Sequence, residues 1–240
     1  TNIDAVTSQT VKDLKLVVQA ANFADNSQYI DDPNGDILNQ TTGIAPINAD
    51  DNQNNVYLLN LGYKTYSGTM IPGTIYNVGE ARGWKKIRIL RNGNGYKIQY
   101  ADLSATTFTE KTIAKDSNFN FTFFSLSEGK TVTVEPQKNK WDLNFTPFTN
   151  YLPTGTAEVT YGYSDFIVTN RLGGTQAYQV LVAEGGSYAD FTLSKVVEDK
   201  FTASKTDQRM IGSNWRSGGG PTTLPSVRTD RFYVVKDAAS

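Results

Sequence analysis

The chain has 240 residues, no cysteine and no histidine, and 23 basic side chains against 24 acidic ones. The two missing residue types exclude disulfides, thiolate or imidazole metal sites, and any catalysis that relies on a thiol or an imidazole base. A formal net charge of -1 supplies no field for nucleic acid or anionic lipid, and no stretch reaches the ~20 apolar residues of a membrane-spanning helix.

This length can form one large β domain or two smaller ones, each with a buried core. The first patterned segment, "TVKDLKLVVQAANF", admits a helix with Thr10 as N-cap and Val11, Leu14, Val17 and Val18 on one face. It equally admits a strand through Leu14, Leu16 and Val18, and the β-branched pair favours the strand. Residues 24–55 are dense in Asp, Asn and Gly and predict a long loop region with at most a short strand. From there the period is two. "NVYLLNLGYKTY", "KKIRILRNGNGYKIQYADL", "FNFTFFSL", "KTVTVEP", "WDLNFTPF", "EVTYGYSDFIVTN", "YQVLVAE" and "RFYVVKD" are short, rich in β-branched and aromatic residues, and bounded by turn formers.

The clearest unit is a hairpin over 85–102, with Ile87 and Ile89 before the turn Asn92–Gly95 and Tyr96, Ile98 and Tyr100 after it. A second hairpin turns at Glu128-Gly129. Strands are expected near 119–126, 130–136 and 141–148, and the fold class is all-β, built of antiparallel sheets and hairpins with one or two short helices at most. Residues 211–226, "IGSNWRSGGGPTTLPS", read as a flexible glycine-rich stretch around Trp215. The closing segment "DRFYVVKDAAS" resembles the first half of the 85–102 hairpin. This predicts two related β modules, with the second one's last strand lying beyond Ser240.

The residues "FNFTFFSLSEGKTVTVEPQKNKWDLNFTPF" resemble the HmuY-like proteins, lipoproteins of bacterial outer membranes. "DFIVTNRLGGTQAYQV", "NWRSGGGP" and "RFYVVKDA" follow in the family's order, so the resemblance covers about 105–240. It divides the chain into an N-terminal β region, 1–104, ending in the 85–102 hairpin, and an HmuY-like β domain, 105–240. The resemblance implies an all-β fold, a lipidated N-terminal cysteine upstream of Thr1, an address at the outer-membrane or extracellular surface, and capture of haem between two axial ligands. Those ligands are histidine in the best-known case and methionine in others. This chain departs from the pattern. Gly219 stands where the second histidine would be, and the hairpin that would carry the first ligand is shortened or absent between Lys195 and Met210.

Haem, if bound, then has Met210 as axial sulfur, with Met70 or a tyrosine opposite, Tyr161, Tyr163, Tyr178 and Tyr188 being the tyrosines of that region. For each of these, packing in core or rim is the competing reading. Trp141-Asp142 reads as a fold determinant, with Trp141, Leu143 and Phe145 on one sheet face and Asp142 bonded to nearby backbone or to an arginine. "DDPNGDILN" places Asp32, Asn34 and Asp36 at alternate positions, as in a calcium loop. It has Ile37 where the loop wants glycine and Gly43 where it wants glutamate, so a plain turn is the better reading. "WRSGGGP" offers backbone N–H groups beside Arg216 for an anion, although no helix follows it as in a P-loop. These observations predict a binding protein, not an enzyme, whose partner is a small molecule, haem or a sugar. A carbohydrate-binding or carbohydrate-active surface protein is the alternative, because exposed aromatics stack on sugars and paired carboxylates hydrolyse glycosides without histidine. A scaffold that binds no haem and meets other proteins through its loops is the third reading.

Overall fold

The computed structural model describes residues 32–36, 44–69, 78–153, 158–218 and 224–237. Strands β1 (Val56–Asn60), β2 (Trp84–Asn92), β3 (Gly95–Asp102) and β4 (Thr109–Ile113) form an antiparallel sheet in that order. The hairpin β2–β3 pairs Ile87 with Tyr100 and Ile89 with Ile98, the register its alternation predicts. Gly93 takes φ +56°, the left-handed backbone that a tight hairpin turn requires. Ile87, Leu90, Ile98 and Ala101 are buried, and so is Lys86, whose ammonium donates to the Ala105 carbonyl at 2.8 Å. Burying that charge is tolerable only because it is hydrogen-bonded.

A short ribbon follows, β5 (Phe123–Ser125) with β6 (Lys130–Val132), turning at Gly129, whose amide donates to Ser125 O. Both strands are shorter than predicted. The Asp116 carboxylate accepts from the Asn118 amide and draws 116–119 into a turn. The amide of Phe121 donates to the Glu135 carboxylate, 2.8 Å away, in place of a ladder carbonyl. These strands and the four-stranded sheet belong to one compact unit, which among the described residues comprises 44–69 and 78–135.

The second unit comprises the described residues of 32–36 and 136–237. Its longest element is the hairpin of β7 (Leu143–Pro153) and β8 (Glu158–Thr169), with a bulge between Thr146 and Phe148. Pro147 lies in the bulge, where its lack of an N–H does no harm to the ladder. Phe166, Ile167 and Val168 are consecutive and all buried, so this end of β8 is covered on both faces. Strand β9 (Gln176–Leu181) pairs with β12 (Arg231–Lys236), while β10 (Arg216–Ser217) and β11 (Ser226–Val227) form a minimal ladder. The core of this unit gathers Tyr178, Val180 and Phe201, with Phe191, Val196, Phe232 and Val234 packed on them.

The fold is all-β, with sheets that are antiparallel throughout the described residues. Two expectations need correction. Short 3₁₀ segments outnumber the one or two helices predicted: Asp51–Gln53, Arg171–Gly173, Val182–Glu184, Leu193–Lys195 and Glu198–Lys205. Four of these are single turns and Glu198–Lys205 has eight residues; pieces this short leave no mark in a period-two pattern. Phe145, placed in the core with Trp141 and Leu143, is 72% exposed. Trp141 precedes the strand, and β7–β8 is a two-stranded ribbon whose face at Phe145 carries no second layer of described residues. The predicted strand in 10–23, Met70 and Gly219 lie outside the described residues.

Candidate functional site

Four rings run along the β7–β8 hairpin. Tyr161 and Tyr163 meet edge to face with centroids 4.8 Å apart, Tyr163 lies 5.1 Å from Phe166, and Phe166 stacks on Phe148 at 4.6 Å. Phe166 is buried and Tyr161 is exposed, so the row climbs from core to surface. Alternation along β8 puts Tyr161 and Tyr163 on one face, and the irregular register beyond Tyr163 allows Phe166 to continue the row.

Residues 207–216 run beside β8 and are latched to it. The Thr169 amide donates to Gln208 O, Ile167 and Gly212 exchange both backbone bonds, and Trp215 Nε1 donates to Asp165 O at 3.1 Å. Met210 lies in this segment, half-buried, between Arg209 and the buried Ile211. Arg209 is held by Asp207 and by Asn150 Oδ1 at 2.7 Å, and it also donates to Asn34 Oδ1. Gly212 takes φ +56° with the Phe166 ring against it, so the segment turns where only glycine does so without strain.

Beyond Met210, Arg216 forms a two-pronged ion pair with Asp165, one prong being Nη2–Oδ1 at 2.6 Å, and it donates to Gly218 O as well. The Asp165 hydrogen bond holds the Arg216 guanidinium above its ordinary pKa, and Tyr161 and Tyr163 are close enough to add to that shift. Arg216 therefore serves Asp165 first, and the anion cradle foreseen in "WRSGGGP" has its cation already engaged.

Turn 32–36 packs on the other side of the latch. Asp32 accepts from the Asn34 amide at 2.7 Å, Gln208 donates to Pro33 O and Asn34 O, and Arg171 donates to Gly35 O. The would-be calcium loop is thus a docked turn. No group of three metal-ligating side chains occurs among the described residues.

The remaining tyrosines divide. Tyr178 is core: it packs edge to face on Phe201, and its hydroxyl accepts from the Val197 amide. Tyr188 is exposed and touches Phe232 edge to face. Neither lies in the aromatic row of β8. Between Lys195 and Met210 stands the 3₁₀ segment Glu198–Lys205 in place of a hairpin. Trp141-Asp142 is a structural junction. Buried Asn170 donates to Lys138 O and Trp141 O, its backbone amide donates to Asp142 O, and its side-chain oxygen accepts from the Gly173 amide. The Asp142 carboxylate accepts from Thr175 Oγ1 at 2.9 Å, a hydroxyl in place of the predicted arginine or backbone.

Sequence reasoning missed the Asp165–Arg216 pair, the Asn170 hub and the docking of 32–36 on the latch. The first had a signal, an acidic residue inside an apolar strand run, "SDFIVT", which requires a partner. The other two rest on bonds between residues 28–175 positions apart and had none.

For a two-imidazole haem site the residues present do not fit, since the chain has no histidine. One thioether stands nearby in the chain: Met210 is half-buried on a segment hydrogen-bonded to β8, the strand of the tyrosine pair. Among the described residues no helix is long and apolar enough to cross a membrane. In comparisons with known proteins, the family model described as HmuY protein matches residues 117–240. That is just over half of the chain, and the chain belongs to the HmuY family. The family consists of surface or extracellular binding proteins associated with haem. No curated protein and no solved structure matches.

Proposed function

Given its place in the HmuY family, we propose that this chain is a surface-anchored binding protein that captures haem or a related porphyrin without histidine. The observation that supports this reading is the position of Met210 on a segment pinned to β8, the strand that carries exposed Tyr161 and half-buried Tyr163 in edge-to-face contact. A bound haem would bring the iron chemistry. The chain's own contribution is to stack aromatic rings against a flat ligand and to present one thioether at a fixed height above the strand. A single thioether binds iron more weakly than imidazole and favours the reduced ion. Met70, the notional opposite ligand, is part of the same proposal, as is a lipidated cysteine encoded upstream of Thr1.

A titration of the full chain tests this reading. Ferric haem, dithionite-reduced haem and metal-free protoporphyrin are added to the protein and to Met210→Ala. We expect a sharpened Soret band that is stronger on reduction and weakened in Met210→Ala, with protoporphyrin uptake unaffected by the substitution. No spectral change with any of the three overturns the reading. A haem signal that survives Met210→Ala moves the axial ligand to Met70 or a tyrosine.

A further inference from the structure

The first unit holds a cleft of about 320 Å³ between β4 and the β5–β6 ribbon, within the usual size range of small-molecule sites. Phe119, Phe121 and Phe123 line it; Phe121 is 52% exposed and meets Phe123 edge to face at 6.3 Å. What sets Phe121 apart from other exposed rings, such as Phe145, is that it lies with two more rings in a cleft.

Four threonines, Thr112, Thr122, Thr131 and Thr133, share the lining. All four are exposed, and none of their hydroxyls bonds to another described residue. The charged residues of the lining are Asp116 and Glu135. One oxygen of each is occupied by the local backbone, Asp116 Oδ1 by the Asn118 amide and Glu135 Oε1 by the Phe121 amide. The second oxygen of each carboxylate forms no bond to a described residue. Both groups are therefore rigidly placed acceptors.

This set of groups selects its ligand by elimination. Two carboxylates and no lining cation repel phosphates, nucleotides and the propionates of haem. A purely apolar ligand would leave the threonines and carboxylates dry and unbonded, at a cost of roughly 1–3 kcal/mol for each group. A quaternary ammonium would suit the rings and the acids but gains nothing from hydroxyl donors. A sugar uses every part. Its axial C–H face carries partial positive charge and lies on the electron-rich face of an aromatic ring. Its hydroxyls donate to carboxylates and both donate to and accept from threonines.

We propose that this cleft is a binding site for a neutral carbohydrate, one or two hexose units of a glycan, with Phe121 as the stacking platform and Glu135 and Asp116 as acceptors for ring hydroxyls. The proposal concerns binding, not hydrolysis, since each carboxylate also holds its own loop in place. It is independent of the porphyrin reading, because every group it uses lies in the first unit.

Saturation-transfer NMR on the full chain, with cellobiose, lactose, mannobiose and chitobiose as probes and choline as counter-probe, tests it. At least one disaccharide should show transfer to its ring protons. Phe121→Ala should weaken that binding about tenfold or more, by analogy with stacked rings elsewhere, while leaving the haem titration unchanged. Glu135→Gln keeps an acceptor for the Phe121 amide and should weaken binding by less. Should Phe121→Ala fail to fold, Thr131→Val with Thr133→Val substitutes two exposed hydroxyls and should reduce transfer in the same direction. No transfer to any disaccharide, transfer unchanged in the variants, or transfer to choline alone overturns the proposal.

Discussion

At Asp165 the carboxylate takes both prongs of Arg216, and its backbone carbonyl takes the Trp215 indole N–H. The Arg216 side chain is only 11% exposed, so removing its partner leaves a cation that water reaches poorly. Asp165→Asn should destabilise the protein by about 2 kcal/mol in urea unfolding, less than for a fully buried pair because the carboxylate retains some solvent. Asn170→Ala takes the side-chain donor from the Lys138 and Trp141 carbonyls and leaves the Gly173 amide only its bond to Asn170 O, and should cost about 1–3 kcal/mol by the same measurement. Asp230 carries a pH prediction. Hydrogen bonds from Arg228 and then Arg231 hold its carboxyl well below the usual carboxylate range. The folded state thus favours the ionised form. Its contribution is present above the ordinary Asp value near ~3.9 and disappears as pH falls from there toward the folded value. Asp230→Asn should lower Tm at neutral pH, and the difference from the parent should close in strong acid. At this scale the sequence was legible where a residue type has one need: Trp141 beside a strand reads as packing. It was illegible where the need is met from afar, as at Asn170, whose partners lie about thirty residues upstream.

Elements were easier to locate than to delimit. The β2–β3 hairpin was fully legible, because Asn-Gly turn chemistry and alternation agree. β5 and β6 were overextended, since two side chains, Asp116 and Glu135, capture amides that a ladder would have used. The end of the latch, from Ile211, was read as part of a flexible stretch, 211–226, because glycine and proline bracket Trp215 there. It is ordered because β8 supplies the partners its backbone needs. Gly212 is the point at which this can be tested. A methyl group there would sit 3.1 Å from both Arg209 O and the Phe166 ring, on a backbone of positive φ. Gly212→Ala should cost about 1–3 kcal/mol and lower Tm by a few degrees. It should also disturb haem uptake if Met210 is a ligand, because Met210 is placed by the same turn.

For the whole molecule, the absence of histidine shaped the reading more than any motif present. It removed the imidazole ligands that the resemblance implies from a chain that still belongs to the family and is all-β, so fold and ligand were separable questions from the start. The fold question has a simple check: far-UV circular dichroism should show a strand-type spectrum, and one dominated by helix would contradict the structure. The candidate site was only partly visible in sequence. Met210, Tyr161 and Tyr163 could be named, but their common reference to β8 could not.

The latch also sets an order of events. The turn at residues 32–36 docks on Gln208 and Arg209, and the bond from Gln208 to Pro33 spans 175 positions. At the usual ribosomal rate of ~5–20 residues per second, the early segment waits roughly 9–35 s for its partner to be made. The edge of β8 at Ile167 and Thr169 stands open for a shorter time, the roughly 2–9 s in which the ~40 residues up to Gln208 and Gly212 are made, and an open strand edge pairs readily with whatever chain is nearest. A nascent or truncated chain ending before Asp207 therefore presents an open β8 edge that residues 208–212 cover once they are made.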